Sequence, residues 1–228
     1  MNIDTPITAR HSDSTRETLI RAAIDIFGRS GFDGASTRAI ADAAKVNQAL
    51  ISYHFGGKSG LYLAVFEHIA GIMQQRVGPI VAAIEAELAT EQAGDAAAVS
   101  ARLASLHRLT DGFVALLTSD ESAAWASLIL REQQNPSEGF DLLYTRFMSR
   151  VLGVIRALVA RIRGTDPASV ETRLTALTIV GQVLVFRAAR AAVMRQMEWQ
   201  TTGPDEANAI RQTIHRNVTA ILTQKDSR

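Results

Sequence analysis

The chain has 228 residues, enough to bury a core in one or two domains, and its 47% apolar content excludes a disordered polymer. Lys and Arg number 24 against 23 Asp and Glu, so a net charge of +1 announces no polyanionic partner, and any basic surface has to be local. There is no cysteine, which excludes disulfides and thiolate chemistry, and charges such as Arg187 interrupt the apolar runs before any reaches the length of a membrane span.

Apolar residues recur at i, i+3 and i+4 along the chain while alternating β-branched runs are missing, so the expected fold class is all-α. The first dozen residues are polar and aperiodic, lack the apolar centre of a signal peptide, and read as a mobile arm of a cytoplasmic protein. From about Ser14 a first helix carries Leu19, Ala23, Ile26 and Phe27 on one stripe, and Gly31 supplies its C-cap. "DGAST" is a turn, and a short second helix, "TRAIADAAK", sends Ile40, Ala41 and Ala44 inward. Asn47 caps a short third helix that runs through His54. After "GGKSG" a longer helix starts near Ser59 and is expected to break at Gly78-Pro79. Further breaks near Gly94, Asp120, Pro136, Pro167 and Pro204 delimit long helices. The expected division is a three-helix head, residues 13–73, and a larger helical body for ligand binding and dimerisation, residues 76–228.

Two short helices joined by a tight turn, at about 36–55, form a helix-turn-helix, whose second helix enters a major groove. Val46, Ile51 and Phe55 suffice to pack that helix, which leaves Asn47, Gln48, Ser52 and Tyr53 on the opposite side. Glutamine pairs with adenine, hydroxyls donate to phosphate, and Lys58 just past the helix can neutralise another phosphate.

The segment "TRETLIRAAIDIFGRSGFDGASTRAIADAAKVNQALISYHFGGKSGLYLAVF" resembles the DNA-binding domain of TetR/AcrR-family transcriptional regulators. Ala22-Ala23, Phe27, Gly31-Phe32, Ser36-Thr37, Ile40-Ala41, Ala44, Val46, His54-Phe55, Lys58 and Leu61-Tyr62 carry the likeness. It departs from the family at Lys45, where glycine is usual, and at Asn47, Ala49 and Ser52, the last replacing a tyrosine. The resemblance implies that Thr37 and Arg38 meet phosphate and a guanine, and that the amine of Lys45 meets the DNA backbone. Asn47, Gln48, Ala49 and Leu50 would then face base edges, and Ser52, Tyr53, His54 and Lys58 would hold phosphates. His54 reads equally as a packing residue under the motif. Arg10 and Arg16 are arm residues that touch DNA or do nothing.

A single recognition helix reads few base pairs, so a dimer is expected. The last two long helices are the candidates, through Leu177, Gly181, Leu184 and Ala188 on one and Ile214, Val218 and Ile221 on the other. The family implies an antiparallel four-helix interface; burial inside the chain's own domain is the other reading. Phe113, Leu117, Trp125, Leu128, Phe140, Tyr144 and Phe147 read first as core and second as the wall of an apolar effector cavity. "WASLILREQQNPSEGFDLLYTRFM" and "GQVLVFRAARAAV" resemble the C-terminal domain of CecR-type regulators, which implies a small effector. Arg131, Gln182 and Phe186 join the pocket set, although Arg131, Glu132, Gln182, Arg187 and Arg190 read first as ion-paired scaffold.

The expected function is a ligand-responsive transcriptional regulator, a repressor released by a small apolar or amphipathic effector. Its partners would be operator DNA with an imperfect palindrome, the effector and a second copy, with no membrane, metal or cofactor. The alternative is a helix-turn-helix regulator controlled by a protein partner. An enzyme is disfavoured: there is no glycine-rich phosphate loop and no HExxH, and the His107–Asp111 spacing reads as a surface hydrogen bond.

Overall fold

The structure, a computed structural model, describes residues 7–90 and 96–224, with side chains described for 13–90 and 98–224. The break expected near Gly94 and any role of Arg10 lie outside these side chains. In chain order the helices are α1 (Ile7–Gly34), α2 (Thr37–Ala44), α3 (Ala49–Phe55), α4 (Lys58–Thr90), α5 (Ala96–Thr118), α6 (Asp120–Gln134), α7 (Glu138–Leu143), α8 (Ser149–Arg163), α9 (Val170–Ala188), α10 (Arg190–Met197) and α11 (Pro204–Thr223). A π-helical segment, Tyr144–Met148, lies between α7 and α8, and no strand occurs among the described residues. Two compact units result: residues up to Ile72 with Ala124–Tyr144, and Met73–Ala123 with Thr145 onward. Residues 124–144, which the expected division gave to the body, cluster with the head.

The first unit is organised by α1, whose Leu19, Ile20, Ala23, Ile24 and Phe27 are all buried. Ile24 takes the inward place expected of Ile26, which is half-buried at the stripe's edge. The helix begins at Ile7, so it takes in residues expected to form an arm, and Gly31 breaks its geometry with φ 72°. Ser36 starts α2 by accepting a bond from the Ala39 amide (3.1 Å). Lys45 ends α2 in the left-handed conformation, φ 56°, and its amide and that of Val46 close on the carbonyls of Asp42 and Ala41. Ile40, Ala41 and Ala44 then face the core with Ile51 of α3. From α4, Tyr62 sets its ring 4.9 Å from Phe27, 5.0 Å from Phe32 and 5.1 Å from Phe66. Gly139 of α7 rests on the same cluster, so closely that a Cβ there would lie 2.7 Å from the Phe66 ring. Phe55, expected in the core, is half-buried, with the Arg16 guanidinium 5.4 Å above its ring.

The expected interruption at Gly78-Pro79 does not occur, and α4 continues through Pro79. Proline costs the helix one backbone bond, and the carbonyl it strands belongs to the exposed residue Gln75. Val77, Val81 and Ile84 are buried on either side and hold the helix together. The rest of the second unit packs α5, α8, α9 and α11 around Leu106, Leu109, Ile155, Leu158, Ile179 and Val218. The long helix expected between the breaks near Pro167 and Pro204 is two: at Ala189 (φ −105°, ψ 30°) the chain turns, and α10 leaves α9 at 78°.

Candidate nucleic-acid interface and effector site

Most of the residues expected to meet DNA share the α2–α3 surface of the first unit. Ile51 is 1% exposed and anchors α3 from beneath, which costs the surface nothing and turns Asn47, Gln48, Ala49, Ser52 and Tyr53 to solvent. Tyr53 is 79% exposed, an unusual position for a large aromatic. Asn47 works as the cap expected of it, though from one residue before the formal cap position: its Oδ1 accepts from the Ala49 amide at 2.8 Å, and Gln48 makes no capping bond. Gln48 Nε2 instead donates to Thr37 Oγ1 at 2.8 Å, joining the starts of α2 and α3. Leu50 is half-buried beside them.

The basic groups are unequal. Arg38 is exposed, with Asp42 3.9 Å away on the same helix, and Lys45 is exposed at the turn. Lys58 is half-buried, its Nζ 4.5 Å above the Phe32 ring and 3.4 Å from the Asp33 carbonyl to which it donates. His54 is half-buried between Tyr53 and Phe55, with ring centroids at 5.0 Å and 6.0 Å. That environment suits the packing reading of His54 at least as well as phosphate contact.

Sequence reasoning missed the polar centre of this unit. Glu132 is 4% exposed. Its carboxylate accepts from the Tyr62 hydroxyl (2.7 Å), the Ser137 hydroxyl and amide (2.9 Å each) and the Phe140 amide (2.9 Å). Burial, then the Glu132 carboxylate, push the Tyr62 hydroxyl above the ordinary tyrosine range. Neighbouring Arg131 donates to the Arg29 carbonyl (3.1 Å), near the end of α1. Both side chains are held by hydrogen bonds to backbone and hydroxyls rather than by the expected ion pairs. The signal was present in "EQQNPSEG", where a serine follows a proline break and can share its helix start with an upstream carboxylate.

The expected effector residues are divided. In the second unit Phe113 and Leu117 line an apolar gap of about 40 Å³ with Leu109, Ile155, Ile179 and Val183, and Phe147 packs its ring 6.2 Å from Phe113. Gln182 and Phe186 are half-buried in that unit, and both amide atoms of Gln182 are buried without a hydrogen-bond partner, as is Arg187 Nε. In the first unit Trp125 and Leu128 are core, Phe140 stacks on Tyr144 at 5.9 Å, and Arg131 lines an open cleft of about 690 Å³ with Gly31, Phe32, Tyr62 and Asn135. The other seven line neither the gap nor the cleft.

Of the residues expected at the dimer face, only those on α9 are exposed. Leu177 and Leu184 are 53% and 46% exposed; Gly181 and Ala188 are exposed beside them, and Val170, Leu174 and Val185 extend the stripe. Ile214 and Val218 are corrected: they are 1% and 0% exposed, because α11 turns its apolar stripe from Ala207 to Leu222 onto α5 and α8 of its own unit. Ile221 lies half-buried at that stripe's edge.

Asp111 pairs with His215 Nε2 (2.7 Å) rather than with His107, which stacks on His215 at 4.0 Å and meets Thr219 Oγ1 at 3.2 Å. Burial, then the charge of His215, hold His107 below the usual histidine range, against the pull of Asp111. Among the described residues no group of His, Asp and Glu is arranged to hold a metal, and no single helix is long and apolar enough to cross a membrane.

Comparison with known proteins gives the same outline. Residues 19–65 match the family of bacterial regulatory proteins called the tetR family, and residues 101–224 match the C-terminal domain of the HTH-type transcriptional dual regulator CecR. The HTH-type transcriptional dual regulator CecR of Shigella flexneri is 28% identical over 220 residues, 96% of each chain. The HTH-type transcriptional repressor NicS of Pseudomonas putida (strain KT2440) is 37% identical over 71 residues, 31% of this chain and 34% of its own. Among solved structures, AibR in complex with isovaleryl coenzyme A and operator DNA superposes with a TM-score of 0.62 at 15% identity, covering 90% of this chain and 97% of AibR. That likeness speaks for the fold.

Proposed function

The chain belongs to the TetR family of DNA-binding transcriptional regulators, with a C-terminal domain of the CecR type, and from this premise we propose that it is a ligand-responsive repressor acting as a homodimer. The observation that carries the reading is the α2–α3 surface: a helix fixed by Ile51 that offers Asn47, Gln48, Ala49, Ser52 and Tyr53 outward. Thr37, Arg38 and Lys45 then lie toward phosphate, Leu50 with Ala49 toward a thymine methyl, and Lys58 reaches phosphate by leaving or sharing its place on Phe32. The exposed α9 stripe is the dimer contact. NicS is named a repressor and CecR a dual regulator; repression is the simpler use of an operator-bound dimer.

Effector binding would act by population shift. A coupling of about 1–3 kcal/mol changes operator affinity roughly 5- to 150-fold, enough to switch a promoter. The element that we expect to move is α4, which carries residues of both units. Phe113 and Leu117 would supply the apolar wall of the effector site. The AibR complex, which holds isovaleryl coenzyme A and operator DNA, supports a small-molecule effector.

One observation favours the second reading, control by a protein partner. The second unit's gap of about 40 Å³ is far below the roughly 300 Å³ at which ligand pockets begin. Sequencing the DNA fragments selected by the purified protein tests the main reading. Enrichment of an imperfect palindrome, with half-sites about one helical turn apart or a multiple, is expected; fragments without symmetry would overturn the dimeric repressor. Adding the small-molecule or the protein fraction of a cell extract to that complex then separates the two signals.

A further inference from the structure

Gln48 and Thr37 are expected separately to meet DNA, yet the structure ties them together: Gln48 Nε2 donates to Thr37 Oγ1 at 2.8 Å. We propose that Thr37 is a positioning residue that fixes the Gln48 amide and so sets a preference for adenine over guanine at one base position of each half-site. The proposal rests on the reading that Gln48 faces a base edge.

A glutamine amide carries two N–H donors and one carbonyl acceptor. Adenine shows the major groove one acceptor, N7, and one donor, its 6-amino group; guanine shows two acceptors, N7 and O6. A free Gln48 can meet adenine with its carbonyl and one N–H, or turn both N–H groups toward guanine. The bond to Thr37 uses one of those hydrogens. What remains is one acceptor and one donor, which matches adenine and sets the carbonyl lone pairs against guanine O6.

Thr37 is suited to hold that position. It is the first residue of α2, half-buried, and β-branched, so its χ1 has few wells. The capping of α2 falls to Ser36, which accepts from the Ala39 amide, and leaves the Thr37 hydroxyl free for Gln48. Because that oxygen accepts from Gln48, its own hydrogen remains available to a DNA phosphate. One side chain thus grips the backbone and orients the reader. Asn47 does not compete, since its Oδ1 is committed to the Ala49 amide.

The test uses the full-length protein and paired operators that carry adenine or guanine at the position where Gln48→Ala most changes base preference. The wild type is expected to favour adenine by about 5-fold or more, the low end for a bidentate base contact. Thr37→Val, similar in shape without the acceptor, should bring that ratio to within about twofold of Gln48→Ala, while Thr37→Ser keeps it. Thr37→Ala serves if melting shows that valine disturbs α2. Equal weakening on both operators with the ratio intact would overturn the positioning role and leave Thr37 a phosphate contact only. If Gln48→Ala shifts preference at no position, base readout by Gln48 fails and the inference with it.

Discussion

Tyr62→Phe isolates the hydrogen bond at the centre of the first unit. The ring keeps its contacts with Phe27, Phe32 and Phe66, and only the hydroxyl that donates to Glu132 at 2.7 Å is lost. Hydrogen bonds to a charged group contribute about 1.5–3 kcal/mol. The lower end applies, because Glu132 keeps its bonds from Ser137 and Phe140 and is not left as a bare buried carboxylate. The expected loss is therefore about 1.5–2 kcal/mol, or roughly 3–8 °C in Tm for a chain of this length. Trp125 is buried in this unit and the other tryptophan, Trp199, lies in the second, so urea unfolding followed by fluorescence in a Trp199→Phe background reports on the first unit.

pH supplies an internal check. The folded Tyr62 hydroxyl is held above the ordinary tyrosine value by burial and by Glu132. Its contribution is complete below about pH 10 and falls as pH rises past that point, where the unfolded chain gives up the proton first. The difference between wild type and Tyr62→Phe should therefore narrow between pH 9 and pH 11. A variant within about 0.5 kcal/mol of wild type at pH 8, or a difference that widens on the alkaline side, would refute the reasoning.

Three further outcomes are expected. Leu177→Glu puts a carboxylate in the middle of the α9 stripe and should weaken a dimer by about 3 kcal/mol or more, roughly 100-fold in dissociation, read by sedimentation; an unchanged mass would exclude that face. Lys58→Ala should weaken binding to all DNA sequences and reduce the slope of log affinity against log salt by about 0.9 per protomer, roughly 1.8 for a dimer on its operator, whereas an unchanged slope would mean that the amine stays on Phe32 and Asp33. His107 is held below its usual value, so its stabilisation is present above about pH 6.5 and lost as pH falls below it. His107→Gln should lose less stability than wild type between pH 7.5 and 5.5, and equal losses would contradict the assignment.

How far the sequence reached depended on whether the controlling contacts were local. The helix-turn-helix was legible because its signals sit within a few residues of what they govern: Ser36 and Asn47 at helix starts, and the left-handed turn at Lys45. The α9 stripe was legible because Leu174, Leu177 and Leu184 lie on the helix opposite Ala176, Ile179 and Val183, more apolar surface than one core face needs. Periodicity shows that α11 has an apolar face, though not which neighbour covers it, so Ile214 and Val218 were assigned to the wrong partner. Pro79 misled for a related reason: the rule for proline is local, whereas Val77, Val81 and Ile84 hold α4 through distant contacts. The Tyr62–Glu132 bond spans 70 positions, and no local pattern announces such a pair.

The position of Gly139 bears on how such regulators can be recombined. Any larger residue there would drive into the Phe66 ring, and Glu132 a few residues earlier is satisfied by Tyr62. The compact unit that holds α2 and α3 is therefore discontinuous in the sequence, because 124–144 cluster with what begins before Ile72. A chimera that exchanges heads at a single crossover after Ile72 would leave a foreign segment against the new aromatic cluster, with Glu132 facing whatever stands at the position of Tyr62. A graft that carries both stretches would keep these contacts, at the cost of two crossovers beyond the first.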